Sequence, residues 1–117
     1  MELQIRTNLE GLIRVTRALL PLVRTGIVNI ASAAGKTSYK DMAVYCGTKL
    51  GVRGFTQALA LELPHLHICC VNPDMTATRL SGYEGRPPGQ VAEVICRAST
   101  CKAKCAKGND LDVWEIV

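Results

Sequence analysis

Two short runs, Ile27-Val28-Asn29-Ile30-Ala31 and Leu66-His67-Ile68-Cys69-Cys70-Val71, are rich in β-branched residues and apolar at nearly consecutive positions. A strand that is apolar on both sides belongs inside a sheet covered by helices on both faces, the usual place of strands in a parallel sheet. Such a sheet needs helical crossovers, and the flanking segments change to helical period. Asn8 to Leu20 sets Leu9, Leu12, Ile13, Thr16, Leu19 and Leu20 at three- and four-residue spacing, with Arg14 and Arg17 turned elsewhere and Pro21 as the breaker. Asp41 to Leu63 repeats the pattern through Val44, Leu50, Phe55, Ala58, Leu59 and Leu63, and Pro64 ends it. Gln90 to about Cys105 reads as a third helix and Leu111 to Val117 as a third strand. Between the second strand and this helix, Asn72 to Gly89 is a long loop with three prolines and three glycines, of a length that is usually functional or mobile. This alternation predicts an α/β protein with right-handed crossovers.

One small domain accounts for all 117 residues, and 48% hydrophobic with 21% charged residues is the balance of a globular chain. The charge, 14 − 10 = +4, comes with one Trp and one Phe, too little basic and aromatic surface for a nucleic-acid partner. Leu9 to Val23 carries Glu10, Arg14 and Arg17, whereas a membrane span needs about 20 mostly apolar residues, so no membrane partner is expected. Met1-Glu2-Leu3-Gln4 lacks the basic and apolar regions of a secretory signal, and the compartment reads as cytoplasmic. Cys69 and Cys70 are adjacent in an apolar run and Cys46 lies in a helical pattern, which fits reduced thiols. Cys96, Cys101 and Cys105 lack paired short spacings and a nearby His, so no metal site is expected.

The chemistry concentrates in Tyr45-Cys46-Gly47-Thr48-Lys49. Residues four apart share a helix face, so the phenol and the amine can reach one ligand. A phenol ordinarily ionises near pH ~10, and a neighbouring ammonium favours the phenolate. Upstream, Ser32 stands at the carboxyl end of the first strand, where open parallel sheets bind ligands, and its hydroxyl can orient a carbonyl or alcohol oxygen. Ser32 can equally cap a turn, and Asn8 can equally cap the helix that starts at Leu9.

The order Asn8, Ser32, Tyr45, Lys49 resembles the short-chain dehydrogenase/reductase family. Further resemblance lies in Asn8-Leu9-Glu10-Gly11, in Ile27 to Gly35, in Ala60-Leu61-Glu62-Leu63, and in Val71-Asn72-Pro73 leading to Thr78. It covers nearly the whole chain but only the carboxyl-terminal half of the family's fold. It implies a partial Rossmann-like, doubly wound parallel sheet made of the last three strands with flanking helices, as a single domain without the amino-terminal dinucleotide-binding half. It also implies an NAD(P)-dependent oxidoreductase acting on a small carbonyl or secondary alcohol. Tyr45 would be the general acid or base, Lys49 would bind the nicotinamide ribose and favour the phenolate, and Ser32 would steady the reacting oxygen. Asn8 would support a water leading from Lys49 to solvent. Pro73, Thr76 and Thr78, with Tyr45 and Lys49, would border NAD or NADP, without distinguishing them.

Three departures accompany the resemblance. No Gly-rich strand-to-helix turn precedes Asn8, so the element that would hold the pyrophosphate is not among these residues. Asp74 replaces the family's glycine after proline, bringing an acidic group toward the cofactor, and the short link from the first helix to its strand allows Asn8 to be displaced. The rival reading is a non-catalytic fragment that associates with copies of itself or with an intact relative through its helices. Its exposed sheet edge at Ile27 to Ile30 would favour pairing.

Overall fold

The computed structural model describes residues 2–100 and 110–116. Three parallel strands, β1 (Gly26–Ile30), β2 (His67–Asn72) and β3 (Asp110–Asp112), form one sheet in the order β1-β2-β3. The helices are α1 (Glu2–Ile5), α2 (Gly11–Leu19), α3 (Ala43–Glu62), α4 (Pro88–Ser99) and the short α5 (Val113–Ile116). The predicted α/β fold, with these strands side by side, is therefore observed.

Side-chain alternation along β2 divides the core. Cys69 and Val71 pack with Val91, Val94 and Ala98 of α4, together with Leu111 and Val113. On the other face Ile68 joins Ala60 and Leu66, while Cys70 joins Ala31 and Val52 beneath Leu9 and Leu12. Residues 68–71 are fully buried. Covering both faces is what makes the run continuously apolar, and burying a Val or Ile side chain contributes roughly 1.5–3 kcal/mol. The buried asparagines of β1 and β2 are paired: the Asn29 amide donates to Thr56 Oγ1 at 2.9 Å, and the Asn72 amide donates to Asp112 Oδ1 at 2.9 Å.

Three boundaries differ from the sequence expectation. The first helical segment starts at Glu2, upstream of Asn8, and passes through a π-turn at Arg6–Glu10 before α2. Asn8 therefore lies inside a widened turn and is not an amino-terminal cap. The third strand covers only Asp110–Asp112, because Val113–Ile116 turns into a helix as Val113 enters the α4 cluster. The 72–89 segment contains a 3-10 turn, Arg79–Ser81, and α4 begins at Pro88, where proline's missing N–H costs nothing. The expected end of that helix, near Cys105, falls outside the described residues. Cys46, Cys69, Cys70 and Cys96 form no disulfide, and Cys101 and Cys105 lie outside the described residues.

Candidate active site

The chemistry-bearing residues gather at the carboxyl ends of β1 and β2. β1 ends at Ile30, and Ser32 follows in extended conformation before a 3-10 turn at Ala33–Gly35. Ser32 Oγ accepts from the Ala34 amide at 3.1 Å, so the hydroxyl does cap this turn. The Ala31 amide donates to the Val71 carbonyl at 2.9 Å and the Ala33 amide to the Pro73 carbonyl at 2.8 Å. These two bonds carry the pairing of β1 and β2 past the strands' ends and bring the serine turn beside Pro73.

Across from this turn runs α3. Its Tyr45 and Lys49, one helical turn apart, place the Lys49 ammonium 5.7 Å from the centre of the Tyr45 ring. Lys49 Nζ also donates to the Ile30 carbonyl at 3.4 Å, which anchors the amine two residues before Ser32. Burial lowers the Lys49 ammonium from its ordinary range, opposed by its charge interaction with Cys70. Cys70, itself fully buried below, is pushed up to about 11, mainly by burial. Gly35 allows the serine turn to sit against α3: a Cβ there would lie 2.9 Å from the Lys49 carbonyl oxygen.

Asn8 reaches the same helix. Its Nδ2 donates to Thr48 Oγ1 at 3.3 Å, and Thr48 Oγ1 donates to the Tyr45 carbonyl at 2.8 Å. Within the π-turn Asn8 therefore points at the residue preceding Lys49. Thr7, Asn8, Gly11 and Leu12 line a shallow groove of about 610 Å³ with Val28, Asn29, Ile30 and Lys49, open along the free edge of β1.

A short chain dehydrogenase family model matches residues 1–87. The chain belongs to the short-chain dehydrogenase family. It is 37% identical over 101 residues to an NADP-dependent 3-hydroxy acid dehydrogenase of Schizosaccharomyces pombe, covering 81% of this chain and 39% of that protein. It is 41% identical over 83 residues to the mitochondrial D-beta-hydroxybutyrate dehydrogenase of Bos taurus, covering 67% of this chain and 24% of that one. Among solved structures, a 3-oxoacyl-[acyl-carrier protein] reductase from Brucella melitensis superposes with a TM-score of 0.81 at 29% identity, over 91% of this chain and 48% of that one. This short-chain dehydrogenase chain thus spans less than half the length of those proteins.

Its most distinctive departure, Asp74, has a partner the sequence did not reveal. Arg86 grips the Asp74 carboxylate with two nearly parallel bonds, Nε to Oδ1 at 2.8 Å and Nη2 to Oδ2 at 3.0 Å. The hydrogen bond from Arg86 holds the Asp74 carboxyl below the usual carboxylate range. The acidic group expected to turn toward the cofactor is therefore neutralised at the neck of the 74–86 loop. Backbone bonds close the same neck, from the Arg86 amide to the Met75 carbonyl at 2.7 Å and from the Ala77 amide to the Arg86 carbonyl at 2.8 Å. Gly85, with φ of 113°, permits that approach. Of the two threonines expected near a nicotinamide, Thr76 is half-buried and its hydroxyl donates to the Asp74 carbonyl at 2.9 Å. Thr78 is exposed, and its carbonyl accepts from the amides of Ser81 and Tyr83.

The sequence reading also passed over Arg53. Its guanidinium donates to Asp110 through Nε at 3.1 Å and Nη2 at 2.5 Å, and to the Gly35 carbonyl through Nη1 at 2.6 Å. Burial, the largest single effect, would raise the Asp110 carboxyl, but hydrogen bonds from Arg53 and Asn72 together with the nearby charges of Arg53 and Lys36 outweigh it, and the group lies below its ordinary range. Lys36 pairs with Asp112 at 2.5 Å beside this network. The only signal in the sequence was a cation one turn beyond Lys49, whose partners stand 57 and 18 residues away.

Proposed function

We propose that the chain carries the proton-handling half of an NAD(P)-dependent oxidoreductase that reduces a carbonyl or oxidises a secondary alcohol. The observation that supports this most is the position of Lys49 Nζ, 5.7 Å from the centre of the Tyr45 ring and 3.4 Å from the carbonyl that ends β1. In this reading Tyr45 Oη gives its proton to the substrate oxygen in reduction and takes it back in oxidation. Ser32 Oγ orients that oxygen. Lys49 binds the ribose hydroxyls and sets a positive charge beside the phenol, where negative charge develops as the proton leaves. Asn8, through Thr48, holds its place beside Lys49 and supports a water that carries protons toward solvent.

NAD or NADP, when bound, supplies or accepts the hydride. The residues present fit the nicotinamide end of such a cofactor: an ammonium and a phenol on one helix face suit a ribose diol, and Pro73, Thr76 and Thr78 offer a border. The pyrophosphate would rest on a Gly-rich turn that these 117 residues do not contain. For the substrate, the names of the relatives share an oxygen at the third carbon of an acid or acyl chain. We therefore assign a 3-oxo or 3-hydroxy acyl compound as the substrate class.

The test is a titration of the purified chain with NADH and NADPH, followed by Trp114 emission, together with reduction of ethyl acetoacetate. Saturable binding of one dinucleotide and turnover of the keto ester are expected; no saturable binding by either overturns the proposal for these residues.

Association is part of the same reading. Ile5, Leu9, Ile13 and Ala18, with the charged Glu10, Arg14 and Arg17, line a groove of about 790 Å³ along the amino-terminal helical segment, and Leu50 and Leu61 are exposed on α3. These surfaces support self-association or binding to an intact relative, which light scattering after gel filtration reads directly. Among the described residues no helix is long and apolar enough to cross a membrane. A cytoplasmic location fits described cysteines that form no disulfide.

A further inference from the structure

Tyr45 and Lys49 ride on α3, whereas Ser32 rides on a turn that leaves β1, so the reaction proposed above depends on how firmly two separate elements are held together. Hydrogen bonds to Pro73 and within the turn fix Ser32 relative to the sheet, but they do not reach α3. Arg53 does. It lies one helical turn beyond Lys49 on the same helix, and its three donors are divided between the turn that follows Ser32 and the strand on the far side of β2.

We infer that Arg53 is a positioning residue: by tying the Gly35 carbonyl and the Asp110 carboxylate to α3, it sets the place of the Ser32 hydroxyl relative to Tyr45 and Lys49. The inference rests on the oxidoreductase reading of the site. Its geometry is specific to a guanidinium. Nε and Nη2 meet both oxygens of Asp110, and Nη1, on the other branch of the same rigid fork, meets Gly35 at 2.6 Å. An ammonium is a single point and cannot span a carboxylate and a carbonyl with that register. The Arg53 side chain is 17% exposed and that of Asp110 12%, so solvent screens the pair little. Contact is close as well as polar, since a Cβ on Gly35 would approach Arg53 Cδ to 3.0 Å. The Asp110 end matters because β3 is only three residues long and pairs with the carboxyl-terminal half of β2, which leads directly to Pro73. One side chain thus braces the serine turn and the strand next to Pro73 against the helix of the tyrosine.

The experiment compares the full chain with Arg53→Lys, which keeps the charge, and Arg53→Met, which keeps most of the stem. Amide hydrogen exchange reads the tether, and ethyl acetoacetate reduction reads its consequence. In both variants exchange at Gly35, Lys36 and Thr37 should quicken at least tenfold, while the amides of Val52 to Ala60 keep their protection. kcat should fall at least tenfold, with the KM for the dinucleotide within twofold of wild type. Unchanged exchange in the serine turn overturns the inference, and so does faster exchange with an unaltered kcat, which would leave Arg53 a purely structural brace. Loss of protection throughout Arg53→Met α3 would reflect unfolding and hand the decision to Arg53→Lys. A wild-type chain that binds no dinucleotide overturns the oxidoreductase reading instead, and the exchange result still decides whether Arg53 holds the turn.

Discussion

Lys49 Nζ lies 3.4 Å from the carbonyl oxygen of Ile30, so the amine on α3 and the end of β1 are joined just ahead of Ser32. This contact draws a cation into a partly apolar place, and burial lowers its pKa from the ordinary 10.5. A lowered lysine value means that the unfolded chain holds the proton more tightly than the folded one. The cost of burying the charge is then fully present at neutral pH and is relieved as pH rises through the lowered value toward the ordinary one. Lys49→Met is expected to melt at or above the wild-type temperature at pH 7, with the difference shrinking toward pH 10.5, while dinucleotide binding is lost. Thermal unfolding followed by circular dichroism across that range, beside the Trp114 titration, checks both parts.

Tyr45→Phe removes the proton carrier and little else. Turnover of the keto ester should fall by about 10²–10⁴-fold, the usual contribution of general acid–base catalysis, with dinucleotide affinity falling far less than turnover and the melting temperature close to wild type. Steady-state kinetics with an equilibrium titration separates these effects; turnover within a factor of a few of wild type would exclude Tyr45 as the acid.

Asp74 and Arg86 close the neck of a loop whose tip holds the exposed Arg79, Leu80 and Tyr83. Asp74→Asn keeps the shape and removes the charge, and tryptic cleavage after Arg79 should then quicken several-fold at neutral pH. The lowered Asp74 pKa means that the pair's contribution to stability is present above the ordinary carboxylate range and is lost as pH falls through the lowered value. The melting-temperature gap between wild type and Asp74→Asn should accordingly persist above the ordinary 3.8 and close as pH falls through the lowered value.

In the core, Thr56 Oγ1 accepts the Asn29 amide at 2.9 Å and donates to the Val52 carbonyl at 2.7 Å. Thr56→Val preserves volume but leaves the buried Asn29 donor without this acceptor, a loss of about 1–3 kcal/mol. Urea unfolding should show a lower midpoint with an unchanged slope, and Thr56→Ser should recover most of the difference.

How much of this was legible beforehand depended on the distance over which each feature is encoded. The runs at 27–31 and 66–71 announce buried strands because covering both faces demands apolar side chains at successive positions. Tyr45 and Lys49 announce themselves because four residues make one helical turn. Asn8 was visible as a candidate, but its surroundings were not: a polar residue before an apolar stripe looks like a cap, whereas it lies inside a widened turn with its amide on Thr48, a partner 40 residues away. Asp74 with Arg86 and Arg53 with Asp110 lie 12 and 57 residues apart, and no local period connects them. The same holds for β3, which stops after three residues because Val113 is taken up by α4.

The π-turn at Arg6–Glu10 also makes the count of residues near the amino terminus matter as much as their identity. A widened turn takes in one residue beyond an ordinary helical repeat, and each residue of an α-helix advances the phase by about 100°. Leu3 and Ile5 consequently face a direction that an unbroken helix would not give them. Excising a single position from that turn would rotate everything before it, leaving the composition almost untouched while presenting a different side of the segment to whatever approaches it.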